Sequence, residues 1–298
     1  MRGDTDIVDV AAARAAGLAC WREPVAPEPL PGGLSNTNFI VAHRGRRYVV
    51  RIGGDVPEHG VWRFNELTVA RAAHAAGLSP AVHHHEPGAL VLDYIEGGQT
   101  LGAADVADPA TLPRIVELVR CCHQQMPLTL DVPGPMFWVF NVIRRYARLL
   151  AECRLAGRMP GFLAANDAFE RAVGAILPVY CHNDLLAANL IDDGSRLWLI
   201  DWEHSGWNDA LFDLANMASN NAFDAARERH LLALYDGQAP DDERRRRFAA
   251  MKAASLLREA LWSAAAERFS DLSIDFVAYT EENLARYEAA HQEFEMLR

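Results

Sequence analysis

Among the 29 basic residues of this 298-residue chain, only Lys252 is a lysine. A phosphate site that leans on lysine is thereby excluded everywhere else, and an arginine must serve in its place. Cysteine is scarce too: five residues, an odd number, with Cys121 and Cys122 adjacent on an expected helix and no CxxC pair. That excludes a disulfide framework and a thiolate zinc site, and leaves reduced, mostly buried thiols. No apolar run is long enough to span a bilayer; Ala11–Cys20 is short and broken by Arg14. The opening MRGDTDIVDV carries acids where a secretory signal needs bases and an apolar stretch, so a cytoplasmic protein without a membrane partner is expected. Positive charge is short overall. A formal net charge of −11 argues against an undirected nucleic-acid surface. The basic run Arg244–Arg247 follows Asp241, Asp242 and Glu243, the pattern of a solvated helix start. An acidic balance suits a small, cationic substrate.

What is there is ordinary for a folded protein: 50% hydrophobic, 23% charged, and length enough for two lobes sharing a cleft. Residues 5–19 have the spacing of a short amphipathic helix; Pro24, Pro27, Pro29 and Pro31 then punctuate an extended lead into Gly32-Gly33. Thr37–Ala42 and Arg47–Ile52 read as strands about the turn Arg44-Gly45-Arg46, and Val61–Ala76 as a helix stopped by Gly77. Pro80–His85 and Ala89–Ile95 are strands again, closed by Gly97-Gly98. From Thr111 the pattern turns helical over 111–125, 136–156, 162–177, 208–220, 223–236, 241–268 and 273–292. One hairpin interrupts it, with strands near 188–192 and 196–201. The expected fold is α+β and bilobal. A small β-rich lobe with one main helix covers 1–97, and a larger, mostly helical lobe covers 98–298, with a ligand cleft between them.

The densest chemistry lies in CHNDLLAANLI, residues 181–191, and in Leu199-Ile200-Asp201-Trp202-Glu203. Asp184 falls on a loop, while Asn189 and Asp201 fall at paired hairpin ends, so three oxygen ligands can reach one point. Mg2+ takes one or two carboxylates together with substrate phosphate, which this set provides. Asp184 would then accept the proton of an attacking hydroxyl. Such spacing points to phosphoryl transfer from ATP. His182 is expected to be structural, hydrogen-bonded to backbone, and Asp192 and Asp193 to decorate a turn. His83-His84-His85 has no further ligands nearby in sequence and reads as solvated.

These residues, HND…N at 182–189 and IDWEHSGWNDALFDLAN at 200–216, resemble the choline/ethanolamine kinase branch of the aminoglycoside phosphotransferase-like kinases, which have a protein-kinase-like fold. The resemblance implies that Asp184 is the catalytic aspartate, that Asn189 and Asp201 bind Mg2+, and that Glu203 supports the metal site. It also implies that Asp213 braces the catalytic loop. Glu203 favours this branch over the antibiotic kinases, which more often have glycine there.

The small lobe supplies its own signals. Gly32-Gly33-Leu34-Ser35-Asn36-Thr37 lies between extended segments, where glycine lets backbone N–H groups approach phosphate; Gly33, Ser35, Asn36 and Thr37 are the expected contacts. Arg51 is a charge on an otherwise apolar strand, and Glu66, on the lobe's main helix, is its natural partner. That pair would aim the guanidinium at the α- and β-phosphates and meet the shortage of lysine. Leu92-Asp93-Tyr94-Ile95-Glu96-Gly97 resembles the family's hinge, which implies that the Asp93 carbonyl and the Ile95 N–H read adenine.

For the acceptor, Trp207, Glu259, Trp262 and Tyr279 are the candidates, because aromatic faces with a carboxylate suit an ammonium ion. Trp262 and Tyr279 fall at positions of the aromatic box in the resembling family. His204, Asn220 and Glu259 depart from it, standing where tyrosine, an acid and a second tryptophan are frequent. The expectation is an ATP- and Mg2+-dependent kinase for an amino-alcohol such as choline or ethanolamine. The alternatives are thiamine, an aminoglycoside or a sugar as acceptor, and, in another class, a nucleotide-binding pseudokinase.

Overall fold

The structure, a computed structural model, describes residues 2–33, 35–270, 272 and 274–297, with side chains from residue 7 onward. Leu34 of the glycine loop and Ser273, at the start of the last expected helix, lie outside the described residues.

The chain opens with helix α1 (Arg2–Ala16), followed by β1 (Glu28–Leu30), β2 (Thr37–His43) and β3 (Arg46–Ile52). Helix α2 (Arg63–Ala75) comes next, then β4 (Val82–Glu86) and β5 (Ala89–Asp93). The strands form one antiparallel sheet in the order β1-β2-β3-β5-β4. Arg44 and Gly45 both have positive φ, 51° and 74°, in the two-residue turn between β2 and β3 that matches strand twist. Alternation sorts the strands. Phe39, Val41, Tyr48, Val50 and Val91 bury one face under Ala11, Ala15 and Leu18 of the α1 segment, whereas Val49, Arg51 and Leu92 face the cleft. Strand β1 forms inside the proline-rich lead, which was expected to be extended but not to pair as a strand. Its Pro29 is tolerated because β1 is an edge strand.

The larger part begins with β6 (Gln99–Thr100) and helices α3 (Ala103–Val106), α4 (Leu112–Thr129), α5 (Val139–Leu149) and α6 (Met159–Val173). Short strands β7 (Val179–Cys181), β8 (Leu190–Asp192), β9 (Leu197–Leu199) and β10 (Gly206–Asn208) follow. They pair as β6-β8-β9 and as β7-β10. Helices α7 (Ala210–Asn220), α8 (Ala225–Asp236), α9 (Asp242–Phe269) and α10 (Phe276–Met296) complete the fold. Asp209, Asp224, Asp241 and Asp275 cap the last four helices, each accepting a backbone N–H from the first turn. Alanines at 249, 250, 253, 254, 260, 264 and 265 are buried along α9, which packs against α5, α6, α7 and α10. The large core also takes in Val69, Ala72 and Ala73 of α2, so the small lobe's helix is seated on the large one. This is the expected α+β, bilobal, protein-kinase-like fold. No helix among the described residues is long and apolar enough to cross a membrane.

Candidate active site

The segment between β7 and β8 is held from below by Asp213, in the first turn of α7. Its carboxylate accepts the backbone N–H groups of His182 (2.9 Å) and Asn183 (2.7 Å) and the Nε2–H of His123 (3.0 Å). Burial alone would raise the Asp213 pKa, but His123 and the backbone donors outweigh it, so the carboxylate stays charged. Tyr235 Oη reaches Nδ1 of the same His123 at 2.7 Å, and Leu185 N–H donates to Asn216 Oδ1 at 2.6 Å. His123, Cys181 and Asp213 bring three ligand-type atoms within 4.8 Å, a grouping that these hydrogen bonds account for. His182 faces the Ile200 carbonyl through Nε2 at 2.9 Å. Asn183 takes a left-handed φ of 65°, which costs a non-glycine residue; its amide is fixed by the His204 carbonyl and by Asn208. The result is a firmly pinned loop that presents Asp184.

Asp184 is half-buried, and burial pushes its carboxyl up to about 7. Arg258 pulls it down, while Glu259, Asp201 and Glu203 push it further up. Asn189 donates Nδ2 to the Asp184 carbonyl at 2.9 Å, which leaves Oδ1 with no partner among the described residues. Pairing of Leu190 with Leu199 brings Asn189 beside the end of β9, where Asp201 follows with a left-handed φ of 67°. An unengaged amide oxygen beside carboxylates is a donor set of the hard-oxygen kind that Mg2+ takes.

Arg51 stands across from this set, buried. Its Nη2 lies 2.7 Å from Asp201 Oδ1 and 3.7 Å from Glu203 Oε2. Its Nε lies 3.1 Å from Glu66 Oε1, an ion pair out of line for a hydrogen bond. Burial by itself would lower the guanidinium pKa, but Asp201, Glu66 and Glu203 raise it, so the charge is permanent. A second guanidinium, Arg63, bonds Glu66 Oε2 (2.7 Å), Glu203 Oε2 (3.0 Å) and the Ser35 carbonyl (2.9 Å). Ser35 Oγ and Asn36 Nδ2 also donate to Glu203 Oε2, at 2.6 and 3.3 Å. Glu203, the expected metal support, is therefore crowded with donors at Oε2 and has only Oε1 to offer. The same contacts tie the glycine loop to the large lobe. At Gly33, φ is 88° and a Cβ would sit 2.8 Å from Asn38 Nδ2, so only glycine fits. Thr37 begins β2, opposite Ile52.

Between the lobes lies a cavity of about 300 Å³, which Arg51, Asn189 and Asp201 line at one end and Asp93, Tyr94 and Ile95 at the other. Val49, Leu92, Ile191 and Ile200 supply apolar walls. The Ile95 N–H donates to nothing among the described residues, while the Asp93 carboxylate is turned to Arg46 at 3.0 Å. His83 packs on Tyr48, and His84 bonds Glu86 at 3.0 Å, so the three histidines do not converge.

A second cavity, of about 240 Å³, opens beside Glu203 and is lined by Val56, His59, His204, Trp262 and Phe276. Trp262 is the one acceptor candidate placed there, with ring centroids 5.1 Å from His59 and 6.1 Å from Phe276. The other three are elsewhere. Trp207 lies on β10, where pairing with β7 sets its ring edge-on to Tyr180 at 5.5 Å, packed on the core. Tyr279 donates its hydroxyl to Glu259 Oε1 at 3.0 Å, and Arg258 Nη1 takes Glu259 Oε2 at 2.7 Å. With both oxygens engaged, Glu259 is no free counter-ion; the carboxylate on the cavity is Glu203.

The model of the phosphotransferase enzyme family matches residues 27–249. The chain belongs to that family. Protein LicA of Haemophilus influenzae is similar: 31% identical over 192 residues, taking in 62% of this chain and 56% of that protein. Ethanolamine kinase 2 of Mus musculus is 26% identical over 260 residues, 78% of this chain and 66% of that one. The chain thus spans just over half to about two thirds of the length of these relatives. A solved choline/ethanolamine kinase family protein from Mesorhizobium loti is 28% identical with a TM-score of 0.78, over 98% of this chain and 97% of that one. The resemblance carried by residues 182–189 and 200–216 is therefore shared by the whole fold.

Several residues of this site are not among those singled out from sequence. Arg63 could have been, since it stands three residues before Glu66 on the same helix turn. His59, His123 and Arg258 could not: their partners are long-range, and nothing local marks them.

Proposed function

We propose that this phosphotransferase moves the γ-phosphate of ATP to the hydroxyl of a small amino-alcohol, choline or ethanolamine, with 1–97 as the nucleotide-holding lobe and 98–298 as the acceptor lobe. The observation that carries the reading is the grouping of Asn189, Asp201 and Arg51 at one end of the cavity, with Asp184 held beside Asn189 through its backbone carbonyl. Bound Mg2+–ATP would supply the transferable phosphoryl group and neutralise its charge. Asn189 Oδ1 and Asp201 would hold the ion, with Oε1 of Glu203 in reserve. Arg51, fixed by Glu66, would take the α- and β-phosphates, and the loop Gly33–Thr37 would cover them through backbone N–H groups. Asp93 and Ile95 would receive adenine through backbone atoms.

Asp184 would accept the hydroxyl proton of the alcohol; its carboxyl, pushed up to about 7, is a good match for that task. The acceptor side supports an ammonium ion. Trp262 and Phe276 offer ring faces, Glu203 a negative charge, and His204 is held neutral because burial and Arg258 drive its pKa down. The relative named ethanolamine kinase 2 and the solved choline/ethanolamine kinase family protein agree with that chemistry.

A screen of ADP release over choline, ethanolamine, thiamine, sugars and aminoglycosides tests the reading. Highest kcat/KM with choline or ethanolamine is expected. Turnover confined to thiamine, a sugar or an aminoglycoside would overturn the acceptor assignment, and ATP binding without turnover of any alcohol would overturn the enzyme reading.

A further inference from the structure

The acceptor-side cavity is not built by the large lobe alone. The loop from Gly53 to Trp62, between β3 and α2, reaches across and brings His59 into it. This loop is a fixed object. Val56 and Val61 bond each other's backbones at 3.0 and 3.1 Å, and His59 N–H and Gly60 N–H close turns on Val56 and Pro57. Gly60 has a φ of 71°, and a Cβ there would run into the Arg145 guanidinium, so the loop backbone lies against the Arg145 side chain of α5. His59 itself is held twice: Nδ1 lies 3.1 Å from Tyr146 Oη, and its ring lies against Trp262, tilted by 36°.

The protonation state follows from the neighbours. Tyr146 stays a phenol, because burial pushes its pKa up to about 12. Its own proton is then free to go to His59 Nδ1, which puts the imidazole proton on Nε2. Burial, with Arg258 and Arg145 nearby, drives His59 down to about 4. The ring is therefore an uncharged aromatic face, and its Nε2 has no partner among the described residues.

We propose that His59 is a specificity-determining residue of the acceptor pocket, in which the small lobe contributes a neutral aromatic wall that completes a box with Trp262 and Phe276. The inference rests on the amino-alcohol reading above and adds to it. A box built entirely on one lobe would select its alcohol whether or not the lobes were together. This one is complete only when the small lobe is seated, so acceptor binding and lobe closure are coupled through a side chain some 125 residues upstream of Asp184.

The experiment compares wild type with His59→Ala, His59→Phe and His59→Lys, using choline and ethanolamine as varied acceptors at saturating ATP. His59→Ala is expected to raise the acceptor KM about tenfold, the order of one aromatic wall against a cation, while leaving kcat and the KM for ATP within about twofold. His59→Phe should restore the acceptor KM to within about threefold of wild type, since only a face is needed. His59→Lys should be worse than His59→Ala, by like-charge repulsion. An unchanged acceptor KM in His59→Ala overturns the proposal. So does a His59→Phe enzyme as impaired as His59→Ala, which would assign the role to the imidazole nitrogen, and so does a parallel rise in the KM for ATP, which would make the loop merely structural. If wild type turns over only an uncharged alcohol, the amino-alcohol reading falls and this cation-box proposal falls with it. If choline or ethanolamine is turned over and His59→Ala is silent, only the present proposal falls.

Discussion

Asp184 combines a functional demand with a cost in stability. A carboxyl whose ordinary pKa is 3.8 and whose folded value is about 7 holds its proton in the folded protein where the unfolded chain has already lost it. Below pH 4 both states are protonated and the group costs nothing; as pH rises toward 7 the unfolded state is increasingly favoured, and above 7 the full penalty stands. Burial is the main cause, with Glu259, Asp201 and Glu203 adding to it and Arg258 opposing it. In nucleotide- and metal-free protein, Asp184→Asn is therefore expected to raise the melting temperature by about 2–4 °C near pH 8 and hardly at all near pH 4. Equal gains at both pH values would show that the carboxyl is not destabilised as described. The same variant should lose about a hundred- to ten-thousandfold in turnover, the usual contribution of a positioned base, measured as ADP release with ATP binding still detectable.

At the scale of elements, the proposed nucleotide side rests on how β3 and α2 hold two guanidinium groups between three carboxylates. Glu66 is the hub on the small-lobe side, pairing with Arg51 at 3.1 Å and Arg63 at 2.7 Å. Glu66→Gln keeps the shape but removes the charge, and is expected to raise the KM for ATP about tenfold and to cost about 2–3 kcal/mol in chemical denaturation, because the buried Arg51 and the half-buried Arg63 lose a partner. Arg63→Ala should free Ser35 and Glu203 from each other and raise the KM for ATP, with a smaller loss of stability; unchanged nucleotide affinity in both variants would deny this network its role. Arg51 with Glu66 was legible in the sequence, because a lone charge on an apolar strand must be paired and the small lobe has one main helix to pair it. The long helices and the β2–β3 and β8–β9 hairpins were legible for a similar reason, since periodicity and turn residues are local signals. Strands β7 and β10 were not. Three residues carry no period, and without that pairing the orientation of Trp207 could not be read, so an aromatic near Asp184 was taken for a pocket wall. The contact between Tyr279 and Glu259 was hidden for a different reason: it spans 20 residues of sequence and two helices.

On the scale of the whole molecule, the lone lysine shows how catalysis and architecture are divided. Lys252 lies on α9, where its ammonium reaches Glu228 of α8 at 2.7 Å and Glu293 of α10 at 2.5 Å, and so joins three helices of the large lobe. On the proposed function, phosphate binding falls to arginines of the small lobe, so removing the lysine should separate stability from nucleotide affinity. Lys252→Met would leave Glu228, which is 6% exposed, without its counter-charge. Burial already raises the pKa of that carboxyl against the pull of Lys252, so losing the ammonium drives it further toward the protonated form. A loss of about 3 kcal/mol in denaturant unfolding is expected, the usual cost of stranding half of a buried pair, with the KM for ATP within about twofold of wild type. Kinases that place a lysine ammonium against the phosphates would not keep nucleotide binding intact on losing it. A large rise in the KM for ATP at unchanged stability would reverse the assignment, placing Lys252 in the nucleotide site and leaving Arg51 as a structural pair.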